Sequence, residues 1–247
     1  MPRGEIDLGP QNLFFKKSMK VPLLLLSGLL SNEMLWEHQI RHLSDIASIQ
    51  VISSSEDTPA KMVDAILQKA PPKFALAGHS MGGWLCLELL KIAPSRITQL
   101  CLLNTTSRPD TEEKKALRQK MISDAKTGRF SEIVDKMVDH FVFNQTVKPD
   151  VKKMFLQVGQ EVFIRQQESM LARDLDPSSL SKVHLPTLVI HAAEDKNFSL
   201  EEHKELASLI KGAKLTIIEG SGHMSPMEKP EEITSSLRSW LGYRSME

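Results

Sequence analysis

The sequence predicts an α/β fold: a mostly parallel sheet flanked by helices, with one helical insertion. Three observations predict it. Short aliphatic runs alternate with stretches of helical periodicity along most of the 247 residues. The runs lack strict apolar/polar alternation, as expected of strands covered on both faces. Finally, Gly78-His79-Ser80-Met81-Gly82 fits G-x-S-x-G between an apolar run and a helical pattern, which is a strand–turn–helix arrangement.

The first run, Val21-Pro22-Leu23-Leu24-Leu25-Leu26, follows Lys16, Lys17 and Lys20. That order superficially resembles a secretion signal. However, the run starts late, Ser27-Gly28 interrupts it, and it is far too short to span a bilayer. It reads as a buried parallel strand over 21–27, and a cytoplasmic location is the simplest expectation. Further strands are expected at 48–53, 73–78, 97–103, 186–191 and 214–218, with helices at 33–44, 58–69, 82–92, 200–211 and 230–241. Asp57 or Thr58 can cap the second helix, with Pro59 in its first turn. Ser199 with Glu202 has the form of a capping box for the fourth. In such a sheet the site is expected outside the carboxyl ends of the strands.

Between about Ser107 and Ser181 no strand is expected. Ile133-Val134, Met137-Val138, Phe141, Met154-Phe155 and Val162-Phe163 recur at helical spacing, and Thr111 with Lys114 begins one helix. Three to five amphipathic helices are expected there. The chain then divides into a core of residues 1–106 and 182–247 and a helical cap of 107–181 that roofs the carboxyl edge. Most of its Met and Phe side chains are expected to pack internally, with some facing the cavity.

Composition sets limits on function. Lys+Arg and Asp+Glu both number 31, so neither nucleic acid nor an anionic membrane surface is an expected partner. The two cysteines, Cys86 and Cys101, form no C-x-x-C and are expected to be buried thiols rather than a disulfide. No metal site is expected, and oligomeric state is left open.

A serine hydroxyl needs a base to take its proton, and the base needs an acid to orient it. After the strand at 186–191 comes Glu194-Asp195, and after the strand at 214–218 comes Gly220-Ser221-Gly222-His223-Met224. Both loops fall on the sheet edge that carries Ser80, in the chain order Ser, acid, His. Of the eight histidines, His38, His42 and His203 are expected on solvated helix surfaces. His140 and His184 lie in or beside the insertion, His191 braces a loop, and His79 points away from the hydroxyl. His223, in a short Gly-rich loop, is the candidate base. Asp195 is preferred to Glu194 as the acid. Asn104 follows the strand at 97–103, where a carboxylate could otherwise serve, and an amide there cannot stabilise an imidazolium by charge. The N–H of Met81, which opens a helix, and the N–H of Leu29, in Ser27-Gly28-Leu29-Leu30-Ser31, are the candidate oxyanion donors.

Gly78–Trp84, Val189–Asp195 and Gly220–Pro230 together resemble the α/β-hydrolase superfamily, and within it the small capped hydrolases such as carboxylesterases, enol-lactonases and the esterase of biotin synthesis. The likeness covers roughly residues 20 to 242. It implies an α/β-hydrolase fold with a helical cap, a catalytic triad of Ser80, Asp195 and His223, and no cofactor. The expected activity is hydrolysis of a small to medium, largely apolar carboxylic ester through an acyl-enzyme. The alternatives are a lactonase, a thioesterase, a C–C hydrolase or a perhydrolase using the same residues, or a non-catalytic ligand-binding protein on this scaffold. Three departures stand out. Ser27-Gly28 replaces the family's usual His-Gly. The loop at 53–58 is short, so one wall of the pocket is expected to be open. The N-terminal region is also short, so one or two antiparallel edge strands are expected to be lost.

Overall fold

The computed structural model of the protein describes residues 20–174 and 176–242. Six strands form one sheet: β1 (Val21–Leu26), β2 (Ala47–Ile52), β3 (Phe74–His79), β4 (Ile97–Leu103), β5 (Thr187–Ala192) and β6 (Lys214–Ile218). Their order is β2-β1-β3-β4-β5-β6, and every pairing among them is parallel. The expected loss of antiparallel edge strands concerns a terminal region that lies mostly outside the described residues.

Alternate residues of each strand serve opposite faces, which explains the unbroken aliphatic runs. Leu23 and Leu25 pack with Trp36, Leu237 and Trp240, against α1 (Glu37–Leu43) and, after further elements, the C-terminal helix Pro230–Gly242. Leu24 and Leu26 pack with Met62, Ile66, Trp84 and Leu206 on the other face, against α2 (Pro59–Lys69), α3 (Met81–Ile92) and the helix Leu200–Leu209. The helix expected at 33–44 begins instead as a tight 3-10 turn, Glu33–Trp36, before α1. Thr58, not Asp57, caps α2 by accepting from the Lys61 N–H. Ser199 and Glu202 form the reciprocal capping box.

Between β4 and β5 the chain is helical: α4 (Glu112–Asp124), α5 (Phe130–Phe141), α6 (Lys148–Val158) and α7 (Gln160–Leu171), with α8 (Leu200–Leu209) following β5. A kink with Gly128 at φ 87° separates α4 from α5. Ile133, Val134, Val138, Phe155 and Phe163 of this segment join the same apolar cluster as Leu29 and Leu30 of the loop after β1. The helical segment therefore packs on the carboxyl end of the sheet. The strand order reverses between β1 and β3, so the loops that leave these two neighbours lie at the switch point, where open α/β sheets place their sites. Ser80 follows β3, and Ser27–Ser31 follows β1. A short helix α9 (Ser225–Glu228) and α10 (Pro230–Gly242) complete the chain.

Candidate active site

Ser80 joins β3 to α3 at φ 55° and ψ −116°, a conformation that L-residues avoid. The surroundings impose it. The Ser80 N–H donates to the Leu103 carbonyl at 2.9 Å, and its own carbonyl accepts from the Trp84 N–H and from Thr105 Oγ1 at 2.8 Å. No side chain fits on either flank: a Cβ at Gly78 would stand 2.3 Å from the Gly82 carbonyl oxygen, and one at Gly82 would stand 2.2 Å from that of Leu26. A Cβ at Gly28 would lie 2.8 Å from His79 Nδ1 and 3.2 Å from Ser80 Cβ, so the loop after β1 rests directly on this turn.

Three distant residues meet here. His223 Nε2 is 2.9 Å from Ser80 Oγ, and His223 Nδ1 is 2.8 Å from Asp195 Oδ2. The Asp195 side chain is fully buried, and its other oxygen accepts from the Asn197 N–H at 2.8 Å. Burial pushes its carboxyl pKa up. The adjacent His223 and the hydrogen bonds from His223 and Asn197 outweigh this and hold it below the usual carboxylate range. An ionised Asp195 can only accept, so His223 carries its proton on Nδ1 and turns a bare Nε2 to the Ser80 hydroxyl. Glu194 goes elsewhere, accepting from the Ser221 N–H at 2.8 Å. Phe141 and Phe198 pack on the imidazole, with ring centroids 4.8 and 5.7 Å away.

The backbone around His223 is held by residues whose role the sequence did not disclose. His79 points away from the Ser80 hydroxyl, and its Nε2–H donates to the His223 carbonyl at 2.7 Å. Asn104, in a left-handed conformation at φ 44°, donates to the same carbonyl at 2.9 Å and accepts from the Ala192 N–H. Glu228 is buried, and its carboxylate accepts from the backbone N–H groups of Phe143, Asn144 and Met224. It thereby ties the end of α5 to the His223 loop. Burial raises its pKa, against the pull of those N–H groups. The spacing of an acid five residues after His223 was visible, but nothing marked it as buried.

His203 corrects an expectation. Rather than lying on a solvated surface, it is fully buried and packs its ring 4.4 Å from that of His191. The reason is geometric, since His203 and Leu206 fall on one face of α8 and that face meets the sheet. Burial depresses the pKa of His203 to about 4 and that of His79 to about 3. The unfolded chain takes up these protons near the ordinary value of 6.5, whereas the native chain refuses them until far lower pH. Stability is therefore expected to be full above pH 6.5 and to fall steadily as pH drops toward 4. Urea midpoints measured at pH 7 and pH 5 check this. The loss should shrink in His203→Gln, whose side chain does not titrate, and an equal loss in both proteins would contradict it.

Met81 occupies the first position of α3, where a backbone N–H has no partner within the helix. Leu29 lies in the turn against Ser80. The short loop after β2 is tied to the helical segment, its Ser54 and Ser55 carbonyls accepting from Gln166 and Arg165 of α7, at 2.6 and 2.7 Å. Two clefts, of about 410 and 270 Å³, open at the opposite, amino-terminal edge of the sheet, one beside Lys91 and His184, the other beside Thr187 and Lys214. Cys86 and Cys101 are buried and unbridged. No helix among the described residues is long and apolar enough to cross a membrane.

Comparison with known proteins places this geometry in a family. The model of the alpha/beta hydrolase fold matches residues 52–230, well over half of the chain. The pimeloyl-[acyl-carrier protein] methyl ester esterase of Vibrio campbellii is 23% identical over 236 residues, which span 87% of this chain and 92% of that protein. An uncharacterised hydrolase of Bacillus subtilis, YugF, is 25% identical over 74% of this chain and 70% of its own length. Among solved structures, a thermophilic esterase from Thermogutta terrifontis superposes with a TM-score of 0.82 at 25% identity, covering 91% of this chain and 90% of that one. An enol-lactonase from Burkholderia xenovorans has the same fold, with a TM-score of 0.82 at 19% identity over 92% of this chain and 94% of that one. The parallel six-stranded sheet and the match across most of its length make this chain a member of the alpha/beta hydrolase family.

Proposed function

We propose that the chain is a serine hydrolase that cleaves a small to medium, largely apolar carboxylic ester through an acyl-enzyme. The hydrogen-bonded line from Asp195 through His223 to Ser80 carries this reading. His223 Nε2 takes the Ser80 proton as Oγ attacks the ester carbonyl, and Asp195 stabilises the imidazolium that forms. The N–H groups of Leu29 and Met81 stabilise the tetrahedral oxyanion. Each such donor contributes on the order of 3 kcal/mol to the barrier reduction. The imidazolium then gives its proton to the leaving alcohol. In the second half His223 deprotonates water, which attacks the acyl group and restores Ser80.

Residues 107–181 act as the cap of the core formed by 1–106 and 182–247. Apolar side chains support the choice of substrate: Phe141 and Phe198 flank the imidazole, and Leu29 shares a cluster with Ile133, Met137 and Val138. The esterase names of the Vibrio and Thermogutta relatives point the same way. The experiment compares release of p-nitrophenol from acetyl to octanoyl esters by the wild type and by Ser80→Ala. Turnover is expected in the wild type, with a drop on the order of 10⁵ or more in the variant. Turnover retained by the variant contradicts the nucleophile, and its absence from the wild type on esters, lactones and thioesters alike contradicts the enzyme.

A further inference from the structure

The loop after β1 is held in an unfavourable shape from a distance. The Ser31 N–H donates to the Gly28 carbonyl at 3.2 Å, which closes a four-residue turn with Leu29 and Leu30 at its centre. Leu30 has φ 55°, whereas Leu29 is not left-handed. This is the type II pattern, which normally requires glycine at its third position. A leucine there is strained, and rotating the Leu29–Leu30 peptide by about half a turn would convert the loop to type I and put Leu30 into an ordinary conformation.

Both ends of that peptide are gripped. The Leu30 N–H donates to Gln166 Oε1 at 3.0 Å, and the Leu29 carbonyl accepts from Ser31 Oγ at 3.2 Å. Gln166 is fully buried, 136 residues away on α7, and its Nε2 donates to the Ser54 carbonyl at 2.6 Å. Its amide orientation is fixed by chemistry, because the Leu30 N–H can only donate and the Ser54 carbonyl can only accept. A flipped Leu29–Leu30 peptide would turn a carbonyl oxygen toward Gln166 Oε1, setting two acceptors against each other.

We propose that Gln166 is a positioning residue for the oxyanion hole. Its side-chain amide pins the Leu29–Leu30 peptide in the type II orientation, so that helix α7 anchors the turn that carries the Leu29 N–H. This rests on the reading of Ser80 as nucleophile and of the Leu29 N–H as an oxyanion donor. The Leu29 N–H belongs to the preceding Gly28–Leu29 peptide, which a flip does not itself reverse. The two peptides share the Leu29 Cα, so anchoring the second restricts the φ and ψ of Leu29 and holds the donor in place. A donor on a turn that interconverts is no longer pre-organised.

The test uses steady-state kinetics on a p-nitrophenyl ester. Gln166→Met keeps the side-chain volume and removes both hydrogen bonds. It should lower kcat by about 30-fold with KM within about threefold, since a pre-organised donor acts on the transition state rather than on ground-state binding. Because Leu30→Gly also removes a buried side chain, the reference is the Leu30→Gly single variant. In that background Gln166→Met should cost at least about fivefold less than in the wild type, since glycine holds a positive φ without strain. Glycine at position 30 supplies no contact to α7, so a role limited to docking that helix predicts the same cost in both backgrounds. Ser31→Ala, which releases the other end of the same peptide, should lower kcat about threefold and decides the matter if Gln166→Met does not fold. Failure of the two readings is distinguishable. Ser80-dependent turnover with Gln166→Met within threefold of wild type, or an equal cost of Gln166→Met in the Leu30→Gly background, overturns the positioning role alone. Absence of Ser80-dependent turnover in the wild type overturns the reading beneath it, and this role with it.

Discussion

Replacing Asp195 with asparagine is expected to lower kcat by about 10⁴ while changing KM little. The buried carboxylate holds the Nδ1 proton of His223 at 2.8 Å and leaves Nε2 bare toward Ser80. An amide at the same place presents N–H as readily as C=O. If its N–H turns to Nδ1, the imidazole carries its proton on Nε2, and that nitrogen has no lone pair left for the serine proton. If its carbonyl remains, the tautomer is right but the imidazolium formed in the transition state loses its counter-charge. Either way the loss falls on kcat, because no substrate contact changes. With its N–H toward His223 the new amide keeps its oxygen for the Asn197 N–H, which favours that orientation. The fold is therefore expected to persist, and thermal unfolding of the purified variant checks that the kinetic loss is not a loss of native protein. Glu194→Gln is the control, since that carboxylate braces Ser221 and does not meet the imidazole. It should leave kcat within a few-fold of wild type.

His223→Ala is expected to cost still more, on the order of 10⁵ to 10⁶ in kcat. In the proposed mechanism the hydroxyl loses its base, and Ser80 keeps its strained conformation. Stability should fall as well. Asp195 is left buried with its imidazole partner gone, a penalty of about 2 kcal/mol for a charged acceptor losing a hydrogen bond. The double variant His223→Ala/Asp195→Asn separates the two effects. It should recover stability relative to the single His223→Ala while remaining inactive, because the amide is cheaper to bury unpaired than the carboxylate. Urea unfolding and ester turnover of the four proteins in this cycle measure both quantities. If the double variant is no more stable than His223→Ala, the carboxylate was not the source of the penalty.

The features that could be read from the sequence were those with strong local constraints. Leu23–Leu26 had to be a strand covered on both faces, because the run is too short for a helix of its own and every residue is apolar. Gly78 and Gly82 marked the turn because close backbone packing on each side leaves no space for a Cβ. Chain order brought forward Asp195 and His223. Long-range polar contacts left no such mark. Gln166 sits in Arg165-Gln166-Gln167-Glu168, which reads as a solvated stretch, yet Gln166 and Gln167 are fully buried. Its two partners are backbone groups in loops more than a hundred residues away, and backbone groups have no sequence signature. Glu228 likewise looks like a surface acid before Pro230, although three N–H groups converge on it. The tie between the short loop after β2 and α7 was hidden for the same reason, since it runs through the Ser54 and Ser55 carbonyls. His203 was legible in principle from its i, i+3 relation to Leu206, a pattern that outweighs the polarity of one imidazole.

The most direct measurement is the mass of the protein after exposure to a fluorophosphonate, followed by peptide mapping, in the wild type and in His223→Ala. A serine activated by His223 predicts a single adduct on the peptide containing Ser80, formed at least about 10³-fold more slowly in the variant. An adduct on any other residue, or labelling of Ser80 at the same rate without the imidazole, would contradict it.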